Sequence, residues 1–185
     1  MENYSPNPTP DGIYVARMAK GSVSSWGKIY VRYRKALIRF CGNFTRDPEL
    51  AEEWTHDVLL KLKISANRFL ENSELRPWLF RIARNVCLEH LRRRRDFDWV
   101  ESVTARQALA GGDDRSQLSR LVALELSERA LFVLQQLPEE ERTVVILKFV
   151  EGMSREEIAL VMETPIATVK SRLYRAMKLL AVVLS

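Results

Sequence analysis

The densest chemistry in the chain is cationic. In CLEHLRRRRDF, residues 87–97, four consecutive arginines follow a leucine at an apolar helical position. Between residues 81 and 95 six arginines (Arg81, Arg84, Arg92, Arg93, Arg94, Arg95) face Glu89 as the only acid. One or two cations at a helix C-terminus complement its dipole; four in a row exceed that need. Because the planar arginine fork donates bidentately to phosphate, the stretch points to a surface that holds a polyanion. A second cationic run lies near the C-terminus, where Lys170, Arg172, Arg175 and Lys178 occur between 165 and 180 without a single acid.

Chemistry of the bond-breaking kind is harder to find. There is no phosphate-binding glycine loop, catalytic dyad or metal-ligand spacing. His56 and His90 share no ligand spacing with Cys41 and Cys87, and both cysteines fall inside apolar helical patterns, so they read as core thiols. An enzyme is the weaker reading, and neither cofactor nor metal is expected.

The elements that must position these cations are helices. At 185 residues and 46% hydrophobic content the chain is long enough for one medium core or two small ones. The net charge of +5 makes nucleic acid the first expected partner. With no apolar run of about 18 residues and no signal-peptide pattern, a soluble, cytoplasmic protein without membrane insertion is expected. Residues 1–12 hold three prolines and no apolar period, which predicts a disordered tail. Helical spacing from 13 to 95, interrupted at 42–48 and 71–77, predicts a first domain of three or four helices. Residues 96–119 carry five acids against two arginines around Gly111-Gly112 and read as a flexible acidic linker. A second domain of about four helices is expected over 120–185. The fold class is therefore all-α, two small helical domains joined by that linker.

Within the second domain, Ala159, Glu163 and Val169 are spaced as a helix-turn-helix requires, with a small residue at the crossing, a turn and a buried apolar contact. Ser154 and Glu157 spell a capping box, and Thr164 before Pro165 places an N-cap ahead of a proline at the first helical position. Glu163 stands where the turn glycine is usual, at a conformational cost. On the helix 75–97, Leu79, Ile82, Ala83, Val86, Cys87 and Leu91 form one buried stripe. On 48–62, Leu50, Ala51, Trp54, Val58 and Leu62 do the same, leaving Glu49, Glu52, Glu53, His56, Asp57 and Lys61 outward. That acidic face on a basic protein is not suited to DNA.

The segments WLFRIARNVCLEHLRRRR and LPEEERTVVILKFVEGMSREEIALVMETPIATVKSRLYRAMKLL, with IYVRYRKALIRFCGNFTRDPELAEEWTHDVLLKL upstream, resemble the extracytoplasmic-function group of bacterial RNA polymerase sigma factors over about residues 20–182. Trp54, His56, Asp57 and Glu163 depart from the usual residues of that group. The resemblance implies a region-two domain over 13–95 that docks on polymerase and recognises and melts the minus-ten element, and a region-four domain over 120–185 that reads the minus-thirty-five element. It implies core RNA polymerase as a partner, through the β′ clamp helices and the β flap, together with promoter DNA and an anti-sigma factor.

On this reading Glu53, His56, Asp57 and Lys61 meet polymerase. Arg81, Arg84, Asn85 and Arg92 to Arg95 serve the minus-ten element, with Asn85 and the loop 70–77 placed to read an unpaired base. Thr168, Lys170, Ser171, Arg172, Tyr174, Arg175 and Lys178 serve the minus-thirty-five element. Trp78 and Phe80 are candidates for stacking on bases, although Trp78 opens a buried stripe and reads first as core. The set Leu131, Leu134, Leu137, Val144, Val145 and Leu147 reads mostly as core, with part of it meeting the β flap. The 24 residues of the linker can stretch to roughly 80 Å, enough to span promoter elements about two duplex turns, or ~70 Å, apart. A stand-alone helix-turn-helix regulator explains the last helices but leaves the acidic face and the second basic helix unused. Limited proteolysis is expected to cut first between Phe97 and Ser119 and to leave two resistant helical fragments; uniform resistance of that stretch would contradict the linker.

Overall fold

A computed structural model describes residues 10–98 and 133–184, apart from residues 46, 71–72 and 135. Those residues are helical, with no strand among them: α1 (Pro10–Ala19), α2 (Val23–Gly42), α3 (Pro48–Ser65) with a 3₁₀ turn at Ala66–Arg68, α4 (Leu75–Asp98), α5 (Glu139–Val145) continued by a π turn at Ile146–Val150, α6 (Arg155–Met162) and α7 (Ile166–Leu184). Most of the expected linker, and the stretch before residue 133, lie outside the described residues.

Local chemistry sets the helix ends. The Asp47 carboxylate accepts from the backbone N–H groups of Glu49 (2.9 Å) and Leu50 (3.3 Å), and Pro48 follows as the first residue of α3. The Ser22 hydroxyl caps α2 through Ser25 N–H. At α6 the capping box is complete: Glu157 N–H donates to Ser154 Oγ at 3.0 Å and Ser154 N–H donates to Glu157 Oε2 at 2.7 Å. The helix then ends on Glu163 at φ 50°, ψ 46°, the left-handed conformation that favours glycine. The carbonyl of Pro165 accepts from Thr168 and Val169, so Pro165 itself sits at the cap of α7, one residue later than the sequence pattern suggests.

Two boundaries differ from expectation. Helix α1 begins at Pro10, inside the expected tail, because Asp11 accepts from the Tyr33 hydroxyl at 2.6 Å and pairs with Arg32 of α2. Burial, and then this hydrogen bond, raises the Tyr33 phenol above its ordinary range. Residues 1–9 lie outside the described set. Helix α4 continues to Asp98, past the expected domain end at Arg95, so Asp96 to Asp98 belong to the helix.

One buried cluster runs through both sets of helices. It joins Ile29, Leu37 and Phe40 of α2, Trp54, Val58 and Leu62 of α3, and Leu79, Phe80, Ala83 and Val86 of α4 to Val144, Ile146, Leu147, Ile158, Val161 and Val169. Phe40 meets Phe80 edge to face at 5.2 Å, and Trp54 stacks on His90 at 5.0 Å. Phe80 is thus a core residue and not a base-stacking one; Trp78 is half-buried against Phe69 at 5.1 Å. Cys41 and Cys87, 46 residues apart in sequence, meet across α2 and α4 with their sulfurs 3.7 Å apart, and burial raises the Cys87 thiol well above its usual range. Ser154→Ala removes half of the capping box and is expected to destabilise the fold by about 1 kcal/mol, seen as a lower urea midpoint with an unchanged slope.

Candidate nucleic-acid and polymerase interface

Helix α4 holds the first basic face. Its apolar stripe is pinned against α2 and α3, which turns Asn85, Arg92 and Arg93 to solvent. Arg93 pairs with Glu89 one turn back, and Glu89, hydrogen-bonded also by Lys61 of α3 at 2.7 Å, is held below the usual carboxylate range. The side chains of Arg94 and Arg95 lie outside the described residues. Arg81 and Arg84 point to the C-terminal helices instead: Arg81 to Glu163 at 3.0 Å and Arg84 to Glu140 at 2.8 Å. Arg84, Asn85, Leu88, Glu89, Arg92 and Arg93 line an open cleft of about 450 Å³ whose far wall is Glu139 and Glu140. A smaller hollow of about 300 Å³ lies beside the other end of α4, between Arg68, Phe69, Trp78 and Arg81 on one side and Leu160 of α6 on the other.

Helix α7 holds the second. Ala176 and Val169 are buried and fix its rotation, leaving Lys170, Ser171 and Tyr174 outward, with 63% of Tyr174 exposed. Lys178 lies over the Tyr174 ring at 5.0 Å. The Thr168 carbonyl accepts from the Ser171 hydroxyl at 2.9 Å. Arg172 and Arg175, expected to serve the minus-thirty-five element, are engaged by acids of α5. Arg172 is turned inward to Glu140 at 3.1 Å and Arg175 reaches Glu141 at the same distance.

The four residues expected to meet polymerase divide in the same way. Glu53 and His56 are exposed on α3, whereas Asp57 bonds His90 at 2.9 Å and Lys61 bonds Glu89. Helix α3 also exposes two apolar residues that the sequence reading missed, Leu60 and Ile64, the latter 71% exposed. Together with Glu53 and His56 they continue one outward face at helical spacing. Their signal in the sequence was a surplus of apolar residues over what one buried stripe can use. Among the described residues no group of three His, Cys, Asp or Glu side chains is placed to hold a metal, and no helix is long and apolar enough to cross a membrane.

Two family descriptions match the chain, Sigma-70 region 2 over residues 29–97 and Sigma-70, region 4 over residues 127–180. The RNA polymerase sigma-H factor of Pseudomonas aeruginosa is 32% identical over 174 residues, covering 88% of this chain and 87% of that protein. The ECF RNA polymerase sigma-E factor of Escherichia coli is 26% identical over 172 residues, with 90% of each covered. Among solved structures, the sigma factor RpoE of Bartonella quintana, in complex with the anti-sigma factor NepR, is similar at TM-score 0.64 and 28% identity, covering 88% of this chain and 98% of that one. CnrH, solved with the cytosolic domain of CnrY, shares the fold at TM-score 0.71 and 24% identity, covering 94% of this chain and 96% of that one. Both matched regions, in order along a chain that aligns over most of its length with these relatives, place it among the sigma-70 family: it is a member of the extracytoplasmic-function group of RNA polymerase sigma factors.

Proposed function

We propose that the chain binds core RNA polymerase in the cytoplasm and directs initiation at promoters by reading a minus-ten element with α4 and the loop before it, and a minus-thirty-five element with α7. The observation that carries this is the pair of basic faces on two separate helices, each rotated into place by its own buried stripe. Over the proposed division, 13–95 forms the region-two unit, 96–119 the connection and 120–185 the region-four unit. Asn85, Arg92 and Arg93 on α4, with Arg94 and Arg95 beyond them, take the minus-ten side; Arg81 and Arg84 join them once released from their acids. Lys170, Ser171 and Tyr174 take base edges in the minus-thirty-five major groove, and Thr168, Arg175 and Lys178 take the backbone around them. Glu53, His56, Leu60 and Ile64 form the docking face for the β′ clamp helices, with Asp57 and Lys61 holding that face against α4. The β flap meets the C-terminal helices. No catalytic role is assigned to any residue. An anti-sigma partner is supported by the complex in which RpoE was solved.

A stand-alone helix-turn-helix regulator accounts for α7 alone. It gives no use to the exposed apolar and acidic face of α3, or to the arginine run of α4.

Phosphate contacts position a protein without choosing a sequence, and base contacts choose. Arg92→Ala is expected to weaken holoenzyme binding to all promoters alike and to flatten the log–log salt dependence by roughly 0.9. Lys170→Ala or Tyr174→Ala is expected to cost about 1–3 kcal/mol on the preferred promoter and little elsewhere. Binding to a library of minus-thirty-five variants at two salt concentrations separates the two; altered sequence preference in Arg92→Ala, with none in the α7 variants, would reverse the assignment. Glu53→Lys combined with Leu60→Ser is expected to lower core-polymerase affinity at unchanged circular dichroism, since exposed positions contribute little to stability. Undiminished pull-down of polymerase would remove α3 from the docking surface.

A further inference from the structure

The chain has two cysteines, and the fold sets them against each other. Cys41 lies in the last turn of α2 and Cys87 on α4, close after Asn85. Both are fully buried in the apolar core that α2, α3 and α4 share. Their sulfurs are 3.7 Å apart, which is van der Waals contact and leaves no room for an atom between them. The Cys87 thiol donates to the Cys41 sulfur, and the Thr55 side chain of α3 lies within hydrogen-bonding reach of the same sulfur. A core thiol placed only for packing needs no second thiol beside it. Two in contact have a chemistry that neither has alone.

Going beyond the sigma-factor reading and not resting on it, we propose that Cys41 and Cys87 are a reversible oxidation site: a peroxide converts the pair to an intramolecular disulfide that staples the end of α2 to α4, and a thiol reductant opens it again.

The two sulfurs take different parts. The hydrogen bond from Cys87, with Thr55 adding to it, lowers the Cys41 thiol below its ordinary range against the opposing effect of burial. Burial, and then the bond to Cys41, raises Cys87. Because the thiolate is the nucleophile, the Cys41 sulfur attacks one peroxide oxygen. The S–O bond forms, the O–O bond breaks, and the departing hydroxide takes up the Cys41 proton and leaves as water. The Cys87 sulfur then attacks the sulfur of this sulfenic acid. The S–S bond forms, the S–O bond breaks, and hydroxide leaves as water with the Cys87 proton. Two thiols lose two electrons, and one peroxide is reduced to two waters.

Geometry supports each stage. Joining the sulfurs shortens their 3.7 Å separation by about 1.7 Å, to the ~2.05 Å of a disulfide, and no side chain stands between them. The reagent enters at the end of α2, where Cys41 adjoins Gly42 and the cap Asn43 and where a helix opens at least cost. The closed loop contains the whole of α3, so the bond removes freedom from the unfolded chain. In a reducing compartment such a bond is transient, which suits a response to oxidant and not a permanent brace.

The test uses the full chain. Reduced protein is treated with hydrogen peroxide in native buffer, denatured, and alkylated with iodoacetamide. Peptide mapping without reductant is expected to join the Cys41 and Cys87 peptides in monomeric protein, and dithiothreitol is expected to restore two alkylatable thiols. Urea unfolding of the oxidised parent is expected to show an unfolding constant on the order of a hundredfold below that of the reduced parent, with no such change on peroxide treatment of Cys41→Ala/Cys87→Ala. Cys87→Ala is expected to stop at a sulfenic acid on Cys41, trapped by dimedone, whereas Cys41→Ala leaves Cys87 unmodified at the same dose. Should an alanine variant lose its helical dichroism, the parent carries the test by itself, since it has no third cysteine.

Two free thiols after a dose that fully oxidises an exposed dithiol peptide would overturn the inference. So would a disulfide between chains, a cysteine driven to sulfinic acid with no disulfide formed, a bond that appears only in urea above the unfolding midpoint, or equal stability of the oxidised and reduced parent.

Discussion

A carboxylate with 1% of its side chain exposed needs a partner of opposite charge, and the partner of Glu151 is Arg39. Glu151 lies just past the π turn that ends the α5 segment, where its N–H donates to the Ile146 carbonyl, and Arg39 lies in the last turn of α2. The hydrogen bond to Glu151 raises the Arg39 guanidinium above its ordinary range. Arg76 at the start of α4 holds the carbonyl of the same residue. Three helices distant in sequence are thereby referred to one point. The positions of Glu140, Glu157 and Glu163 opposite α4 follow from it.

That arrangement gives the acids of the C-terminal helices two uses. Glu139, Glu140 and Glu141 occupy the first turn of α5, where negative charge complements the helix dipole whatever faces it. The same turn is what α4 and α7 both approach, so charge placed for local reasons also meets two cationic helices. In this arrangement the cations of the chain are of two kinds. Lys170 and Arg92 are open to solvent, and Arg84 and Arg172 are engaged.

Features written within one turn of sequence were legible before any coordinates. The Ser154–Glu157 box and the unusual Glu163 turn each depend on residues a few positions apart, and both take the geometry their spelling implies. The apolar stripes of α3 and α4 were legible for the same reason. What escaped was pairwise and distant. Asp11 is polar and follows prolines, and only its bond to Tyr33 makes its surroundings helical. Cys41 and Cys87 carried no spacing that announced contact. Arg172 read as a minus-thirty-five contact because its helix shows only where it points, not that Glu140 lies there. Leu60 and Ile64 were hidden by their own apolarity, which periodicity assigns to cores.

Helix α4 is an unbroken span of 24 residues. At about 1.5 Å per residue, Trp78 beside the small hollow and Arg93 in the arginine run are separated by roughly 22 Å along a rigid axis. Stacked bases rise about 3.4 Å each along a strand, so that interval corresponds to six or seven nucleotides (about 22 Å). On the proposed reading of α4 as the minus-ten helix, its length sets a ruler. A base held near its N-terminal end and a phosphate held near its C-terminal end have a fixed separation, and any change in that interval must be taken up by stretching or compressing the nucleic acid.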